Sequence, residues 1–300
     1  MRKKFIVTGG AGFIGSHIVD ELIKHKYKVV VLDNLSTGIR NNINKSAKFI
    51  KVDIAKSKKI DKFIKKADGV FHAAALPKIQ PSFEDPITHH QSNIDATLNI
   101  LLSMKKVGCK KIVYSSSSAC YGNTREIPTS ESSKIDLLNP YALQKYASEQ
   151  YITLLSKRFL IDCICLRYFN VYGKRSLNMN NPSNPYNSVI GVFNYSKKNN
   201  LKLKITGDGK QKRDFVHVND VVNANILAMN SKLKNEIFNV GSGESLSINS
   251  VAKLFSSNYY YIAERKGESK ITRAAIKKIK TKLGWEPKIT LKKAIKKELI

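Results

Sequence analysis

The chain has 300 residues, of which 42% are hydrophobic and 25% are charged, and this suffices for one large globular domain or for one domain with a smaller cap. No apolar run approaches the ~18 residues of a membrane-spanning helix, so we expect no membrane partner. The formal net charge of +29 would suit a nucleic-acid-binding protein, but only nine of the 52 basic residues are arginine and the lysines are spread along the chain. We therefore interpret the charge as a lysine-rich solvated surface and expect no nucleic-acid partner.

The first residues, MRKKFIVTGGAGFIG, imitate a signal peptide in their order of basic and apolar residues. Glycines interrupt the apolar run almost at once and no cleavage-like site follows, so we interpret the stretch as a first strand and expect a cytoplasmic protein. The four cysteines, Cys109, Cys120, Cys163 and Cys165, include no CxxC pair, and no histidine cluster has metal spacing. We therefore expect reduced thiols in buried elements and no metal site.

Short apolar strands alternate with helices through the first half of the chain. The N-terminal residues predict a strand, a glycine turn with a helix, and a second strand, in KKFIVTG, GAGFIGSHIVDELIKH and KVVVLD. Further predicted strands are KFIKVD, GVFHAAA, KKIVYSSS and DCICLRYFN, and predicted helices include residues 91–107 and 140–158. This alternation predicts an α/β fold with a doubly wound parallel sheet.

The alternation breaks after Asn170, where residues 173–186 are rich in Asn, Pro and Ser and predict a loop or a crossing between domains. Beyond it we predict a helix near 188–199, a strand near 203–206, a helix near 218–229 and a strand at 236–240. We therefore divide the chain into a first domain, residues 1–172 with 215–240 returning to it, and a smaller C-terminal lobe formed mainly by residues 173–300.

A glycine turn indicates the cofactor. TGGAGFIG places Gly9, Gly12 and Gly15 between the first strand and the first helix, where they permit a tight turn, close approach of a pyrophosphate and close helix packing. The second strand ends at Asp33, 18 residues after Gly15, where a carboxylate can bind both hydroxyls of a ribose. Because this acid would repel a 2′-phosphate, the pattern predicts a Rossmann-type fold that binds NAD rather than NADP.

Two further stretches carry hydroxyls and an amine, SSSSACYG at 115–122 and YALQK at 141–145. Together with the GxxGxxG spacing of the turn, they resemble the extended short-chain dehydrogenase/reductase family, and within it the sugar-nucleotide 4-epimerases. The resemblance runs from Phe5 to about Ile289. It implies NAD as the cofactor, with contacts at Gly9, Gly12, Phe13, Ile14, Gly15, Asp33, Asn34, Asp53, Ile54, Ala73, Ala75, Asn93, Ser115, Tyr141, Lys145 and Tyr168.

The same resemblance implies a reaction centre of Ser117, Tyr141 and Lys145. Tyr141 and Lys145 stand four residues apart and so share one face of a helix. A nearby ammonium and an oxidised nicotinamide both favour the phenolate, which lets Tyr141 exchange a proton with a sugar hydroxyl. The resemblance places Lys145 at the nicotinamide ribose and gives Ser117, beside Ser116, the hydrogen bond to the reacting oxygen.

An absent carboxylate distinguishes the possible reactions. Relatives that dehydrate or decarboxylate nucleotide sugars carry an acid just before the YG of this loop, whereas this chain has Ser118, Ala119 and Cys120 there. The elimination chemistry therefore lacks its proton carrier, and the pattern favours C4 epimerisation of a UDP-hexose through a 4-keto sugar.

Substrate contacts are implied for Ser82, Ser117, Tyr141, Asn170, Arg213, Arg265 and Thr272. Arg213 and Arg265 match arginines that grip a diphosphate, a role that suits the planar guanidinium. The resemblance places Thr272 beside the 2-substituent of the sugar, where a small side chain leaves room for an N-acetyl group. Gln144 replaces the small residue that is usual before the lysine of the motif.

Other readings remain open. Within the family, the chain could be a UDP-glucuronate epimerase, a dehydratase or a reductase that uses the same tyrosine and lysine. From another class, it could be a nucleotide-sensing or nucleic-acid-binding protein on the same fold. Loss of Tyr141 or Lys145 would have favoured that alternative, but both residues are present. The resemblance also implies a homodimer joined through helices 91–107 and 140–158 as a four-helix bundle.

Overall fold

The computed structural model describes residues 2–57, 59–178 and 187–299. Its strands are β1 Lys4–Thr8, β2 Lys28–Asp33, β3 Lys48–Lys51, β4 Gly69–His72, β5 Lys111–Ser117, β6 Asp162–Tyr168, β7 Asn170–Tyr172, β8 Leu203–Thr206, β9 Lys212–Arg213, β10 Phe215–His217, β11 Glu236–Val240, β12 Leu246–Ser247 and β13 Tyr259–Ile262. Its α-helices are α1 Phe13–Lys24, α2 Asp61–Ile64, α3 Ile79–Glu84, α4 Pro86–His90, α5 Ala96–Val107, α6 Pro140–Phe159, α7 Val189–Lys198, α8 Val218–Asn230, α9 Ile248–Lys253, α10 Lys277–Leu283 and α11 Leu291–Ala294. Short π-helical turns at Gln91–Asp95 and Ile295–Leu299 and 3-10 turns at Arg40–Asn42 and Ser118–Tyr121 complete the helical segments.

Seven parallel strands form the central sheet, in the order β11–β6–β5–β4–β1–β2–β3. Strand β5 is buried along its whole length, because helices cover both faces of the sheet. One face packs against α1 and α8, through side chains such as Val19 and Val221. The other packs against α5 and α6, through side chains such as Ile100 and Ile152. The predicted doubly wound α/β fold is confirmed.

The direction of the chain reverses within this sheet. From β1 it proceeds to β2 and β3 on one side, then crosses to β4 and continues outward through β5, β6 and β11. A crevice forms at the carboxyl ends of the strands where such a reversal occurs, and ligands of open α/β sheets bind there. The strand ends Thr8, His72, Ser117 and Tyr168 all lie at this edge.

Three two-stranded sheets form a smaller lobe beside the crevice: β7 with β10, β8 with β13, and β9 with β12. Its separate core is built from side chains such as Phe193 and Phe255 together with residues of α9 and α11. Strand β11 belongs to the large sheet, and α8 packs on it. The domain boundary near residue 172 stays a prediction, and residues 179–186 of the expected loop lie outside the described residues.

The segment after α10 folds back on the large domain. Trp285 is fully buried, and its indole N–H donates a hydrogen bond to the carbonyl of Asp220 over 2.9 Å. The Asp220 carboxylate accepts a second bond from the Ile289 amide over 3.0 Å. The C-terminal segment is thereby fixed to the first turn of α8.

No helix among residues 2–57, 59–178 and 187–299 is long and apolar enough to cross a membrane. Within the same residues, no group of three histidine, cysteine or acidic side chains has the arrangement of a metal site. The four cysteines are buried free thiols.

Replacing Trp285 by alanine should lower the free energy of unfolding by about 3–5 kcal/mol, because it opens a cavity and leaves the Asp220 carbonyl without its donor. Urea denaturation followed by far-UV circular dichroism measures the change. The matched control is Tyr261→Ala on β13, where the side chain is 52% exposed and the expected change is within about 0.5 kcal/mol. Equal losses in the two variants would contradict the prediction.

Candidate active site

The glycine turn brings the backbone of α1 against β1. A side chain at Gly15 would collide with the carbonyl oxygen of Gly9, so only glycine permits this packing. At Gly12, an added Cβ would meet a single neighbour, the same oxygen at 3.2 Å, and would otherwise occupy open space. Phe13 and Ile14 begin α1 directly behind this opening. The cradle between Gly12 and the start of α1 therefore has the shape that a bound pyrophosphate needs.

Asp33 ends β2 beside this turn and is 8% exposed. Its carboxylate accepts hydrogen bonds from the amides of Ala11, over 2.9 Å, and Leu35, over 2.8 Å. Burial raises the pKa of the carboxyl, and these two amides act in the opposite direction. The side chain is thus fixed at the edge of the glycine turn.

The remaining predicted cofactor contacts surround the same edge, at several depths. Asn34 is exposed after β2. Asp53 follows β3 and accepts a hydrogen bond from the Ala55 amide over 2.9 Å, while the neighbouring Ile54 is buried. Ala73 and Ala75 are half-buried in the segment after β4.

Ser115 and Tyr168 lie deeper, near the ends of β5 and β6. Their hydroxyl oxygens are 3.2 Å apart, and the Tyr168 hydroxyl also contacts the Asn225 side-chain amide over 2.7 Å. Burial raises the pKa of Tyr168 to about 12, so the phenol is neutral.

A buried histidine links β1, β4 and the helix that starts near residue 91. The Thr97 hydroxyl donates to the Asn93 carbonyl, so it accepts from His72 Nε2–H over 2.9 Å. Nδ1 then accepts from the Thr8 hydroxyl over 2.7 Å, and Thr8 in turn accepts from the Ala74 amide. Burial, reinforced by the nearby Lys145 ammonium, lowers the pKa of His72 to about 3. The histidine therefore remains neutral and fixes these strand ends.

The Asn93 side chain is fully engaged with other protein groups. It accepts from the Leu76 amide over 2.8 Å and donates to the Leu76 carbonyl and to the Gln144 side chain. Gln144 also donates to the carbonyl of Pro86. Gln144 thus connects α6 to the start of α4 and to the π-helical turn that carries Asn93, and a direct contact of Asn93 with the cofactor stays a prediction.

Tyr141 and Lys145 project from the start of α6. Asn139 caps this helix by accepting from the Ala142 amide over 2.8 Å, and Pro140 occupies its first position. The structure brings Ser117, at the end of β5, to the Tyr141 phenol. Burial raises the pKa of Tyr141, and the interaction with Ser117 acts in the opposite direction.

The Lys145 side chain is 3% exposed, and its ammonium lies 4.3 Å from the centroid of the Tyr114 ring. Burial lowers the pKa of Lys145 to about 7. Burial alone therefore favours the neutral forms of both Tyr141 and Lys145. A phenolate and an ammonium form here only if each is stabilised by an opposite charge within the site.

A buried ion pair lies directly behind these groups. Arg167 donates from Nε to one oxygen of Glu149 over 3.0 Å and from Nη2 to the other over 2.5 Å, with side chains 3% and 0% exposed. Ser116 donates to the same carboxylate over 2.7 Å, and Arg167 Nη1 donates to the Tyr121 hydroxyl over 2.8 Å. Sequence reasoning did not identify this cluster, although Glu149 stands one helical turn after Lys145 and Ser116 stands beside Ser117.

On the substrate side, Asn170 and Thr272 lie together. The Asn170 amide donates to the Asp214 carbonyl over 3.0 Å and contacts the Thr272 hydroxyl over 3.4 Å. The Thr272 hydroxyl also accepts from the Asp214 amide over 3.2 Å. Ser82 is buried, donates to the Ile79 carbonyl and accepts from the Tyr141 amide over 3.1 Å, so it connects α3 to α6.

Arg213 and Arg265 share one carboxylate, although they lie far apart in the sequence. Arg213 Nη2 is 3.2 Å from one oxygen of Glu268, and Arg265 Nη1 is 3.9 Å from the other. Arg213 is largely buried, whereas Arg265 is 53% exposed. Glu268, which sequence reasoning missed, stands three residues after Arg265 and holds both guanidinium groups at the same wall of the crevice.

Lys78 is a further cation of the crevice that sequence reasoning missed. It immediately precedes α3 and has a backbone φ of 87°, in the left-handed region that lysine rarely adopts. Burial lowers the pKa of its ammonium to about 8, while Glu268 raises it and Arg265 lowers it. No motif signals this position in the sequence, since it is one lysine among many.

Known proteins resemble this chain in both sequence and structure. The NAD dependent epimerase/dehydratase family matches residues 5–241. A Methanocaldococcus jannaschii protein provisionally named as a UDP-glucose 4-epimerase is 42% identical over 97% of this chain and 96% of its own length.

Solved structures agree with this match. A UDP-glucose 4-epimerase of Thermotoga maritima, solved with UDP-glucose, superimposes with a TM-score of 0.93 at 36% identity and covers 98% of this chain and 96% of its own. A UDP-N-acetylglucosamine 4-epimerase of Methanobrevibacter ruminantium, in complex with UDP-N-acetylmuramic acid, has a TM-score of 0.90 at 36% identity and covers 98% and 97%. These matches show that the chain is an NAD-dependent enzyme and belongs to the NAD dependent epimerase/dehydratase family.

Proposed function

We propose that this enzyme reversibly inverts C4 of a UDP-hexose, with Tyr141 as the proton-transferring group. The observation that carries the proposal is the meeting of Ser117, Tyr141 and Lys145 at the strand edge that also holds the glycine turn. The similarity to two nucleotide-sugar 4-epimerases supports the same reaction.

The residues present fit NAD. The open space at Gly12 would take the pyrophosphate, Asp33 would bind the adenosine ribose, and Lys145 would bind the nicotinamide ribose. When bound, NAD accepts a hydride from the sugar and returns it. The fixed carboxylate of Asp33 would repel a 2′-phosphate, which supports NAD rather than NADP.

Tyr141 takes the proton of the C4 hydroxyl and later returns it. Ser117 holds the reacting oxygen, because its hydroxyl already lies at the Tyr141 phenol. The Lys145 ammonium favours the phenolate electrostatically, and its low pKa makes this support weaken as pH rises through about 7 in the free protein. After the 4-keto sugar rotates in the site, Tyr141 and Ser117 act on the same oxygen while the opposite face of C4 is presented.

The turn after β5 supports epimerisation rather than elimination. Residues 118–121 form a 3-10 turn that carries no carboxylate. Burial raises the pKa of the Cys120 thiol to about 12, so this side chain does not readily exchange a proton near neutral pH. The chain thus lacks, at these positions, the acid that eliminating relatives require.

Different residues along the crevice would bind different parts of the substrate. Asn170, Arg213 and Arg265 would bind the diphosphate, and Thr272 would stand beside the 2-substituent of the sugar. Threonine is a small side chain that leaves room for an N-acetyl group, so we include UDP-N-acetylglucosamine among the substrates. Both hydrogen bonds of the Thr272 hydroxyl go to protein groups, which draws the side chain towards the wall.

Purified enzyme without added cofactor should convert UDP-glucose to its C4 epimer, as seen from the anomeric and H4 proton NMR signals. In Tyr141→Phe, kcat should fall by about 10²–10⁴-fold because the proton acceptor is lost, while UDP affinity remains. Tyr146→Phe, on the same helix, is the matched control.

No turnover of UDP-glucose or UDP-N-acetylglucosamine by the wild type, even with NAD added, would contradict the neutral-hexose function. Turnover of UDP-glucuronate would then support the uronate epimerase.

Thr272→Tyr should reduce kcat/KM for UDP-N-acetylglucosamine by at least about tenfold relative to UDP-glucose, because the larger ring fills the space for the N-acetyl group. Thr272→Ser keeps the hydroxyl that accepts from Asp214 and should retain the wild-type ratio. Competition assays with both sugars measure this ratio directly. Undetectable wild-type turnover of the N-acetylated sugar beside fast UDP-glucose turnover would contradict the assignment.

We also propose that α5 and α6 join two copies of the chain. Both helices expose apolar side chains, with Leu102 51%, Leu143 52% and Leu154 66% exposed. Leu102→Glu combined with Leu154→Glu should convert a dimer into a monomer in sedimentation velocity, since buried carboxylates oppose association. Leu201→Glu, equally exposed on the smaller lobe, should leave the dimer intact. A monomeric wild type would contradict the proposal.

A further inference from the structure

Lys78 combines three features that its surroundings do not explain. Its backbone lies in the left-handed region, with a φ of 87°. Its side chain is half-buried, and no described residue forms a hydrogen bond or ion pair with its ammonium. Backbone strain and an unpaired, half-buried charge are both unfavourable, and proteins retain such features mainly at functional sites.

The position of Lys78 is fixed between the two lobes. One turn later, Ser82 accepts a hydrogen bond from the Tyr141 amide over 3.1 Å. Gln80 donates to the Lys266 carbonyl over 2.9 Å, and the ring of Phe83 packs beside Gly267. Helix α3 therefore contacts both the reaction centre and the loop that carries Arg265 and Glu268, and Lys78 stands at its beginning.

The charges of this wall are not balanced for a diphosphate. Arg213 and Arg265 both face Glu268, so two guanidinium groups and one carboxylate leave an excess of one positive charge. The diphosphate of a nucleotide sugar carries two negative charges. Lys78 interacts electrostatically with both Arg265 and Glu268 and adds the second positive charge.

We propose that Lys78 is the third cation of the diphosphate site, and that its strained backbone is retained because it holds the ammonium there. This rests on the proposed function, since it assumes a nucleotide-sugar substrate. The two arginines provide planar donors, while Lys78 adds a compact charge from the start of α3. Diphosphate oxygens then give the ammonium the partners that the protein does not supply.

Two substitutions separate the charge from the strain. Lys78→Met and Lys78→Gly both remove the ammonium, but only glycine also relieves the backbone strain, because residues with a Cβ rarely adopt a φ of 87° with a ψ of 145°. Isothermal titration calorimetry should show UDP binding weakened about tenfold to a hundredfold, as for loss of a charged hydrogen bond. Uridine, which lacks the phosphates, should bind each variant as it binds the wild type. The melting temperature of Lys78→Gly should equal or exceed that of the wild type, because the strain is relieved.

Lys266→Met is the matched control, since it removes an exposed lysine from the adjoining loop and should leave UDP affinity unchanged. Wild-type protein that fails to bind UDP would overturn the proposed function and this proposal together. UDP affinity retained in Lys78→Met, beside a wild type that binds UDP, would overturn only the role of Lys78. Loss confined to UDP-glucuronate, with UDP and UDP-glucose unaffected, would overturn it in favour of a carboxylate on the sugar.

Discussion

The buried pair of Glu149 and Arg167 is the interaction on which the geometry of the reaction centre depends. It joins α6 to β6, and through Ser116 it also holds the end of β5. Through Tyr121, whose hydroxyl donates to Asn239 over 2.6 Å, the same cluster reaches β11. Elements distant in the sequence thus share one network of charge-assisted bonds.

The pair of Glu149 and Arg167 contributes more to the positions of the neighbouring groups than to the net stability of the fold. Desolvation offsets much of the attraction between two buried charges, although removal of one partner alone costs about 3–5 kcal/mol. The proposed reacting groups come from different elements, Ser117 from β5 and both Tyr141 and Lys145 from α6. A network that fixes a strand end to a helix therefore determines whether these groups meet.

Much of the architecture could be predicted because it follows from local patterns. The alternation of apolar strands and helices predicted the parallel sheet, and the turn from Gly9 to Gly15 predicted where a dinucleotide fits, because each motif is contiguous. Clusters assembled from distant residues were less accessible. The pairing of Arg213 with Glu268 depends on how the smaller lobe folds, and the φ of Lys78 has no sequence signature.

Dependence on tertiary packing also explains why the role of Asn93 could be predicted only approximately. Asn93 carries a polar side chain at a position associated with the cofactor, yet its hydrogen bonds are directed to Leu76 and Gln144 within the protein. The identity of a polar residue indicates that it will find a partner, whereas the choice of partner depends on tertiary packing.

Trp285 gives the molecule a built-in optical reporter with an unexpected location. It is the sole tryptophan of the chain, and it lies buried against the start of α8 rather than in the crevice. Its emission spectrum should therefore follow detachment of the C-terminal segment from the large domain. Changes in the emission of this tryptophan on adding a nucleotide, with excitation at wavelengths that tyrosine does not absorb, would for this reason report a long-range rearrangement and not direct contact with the ligand.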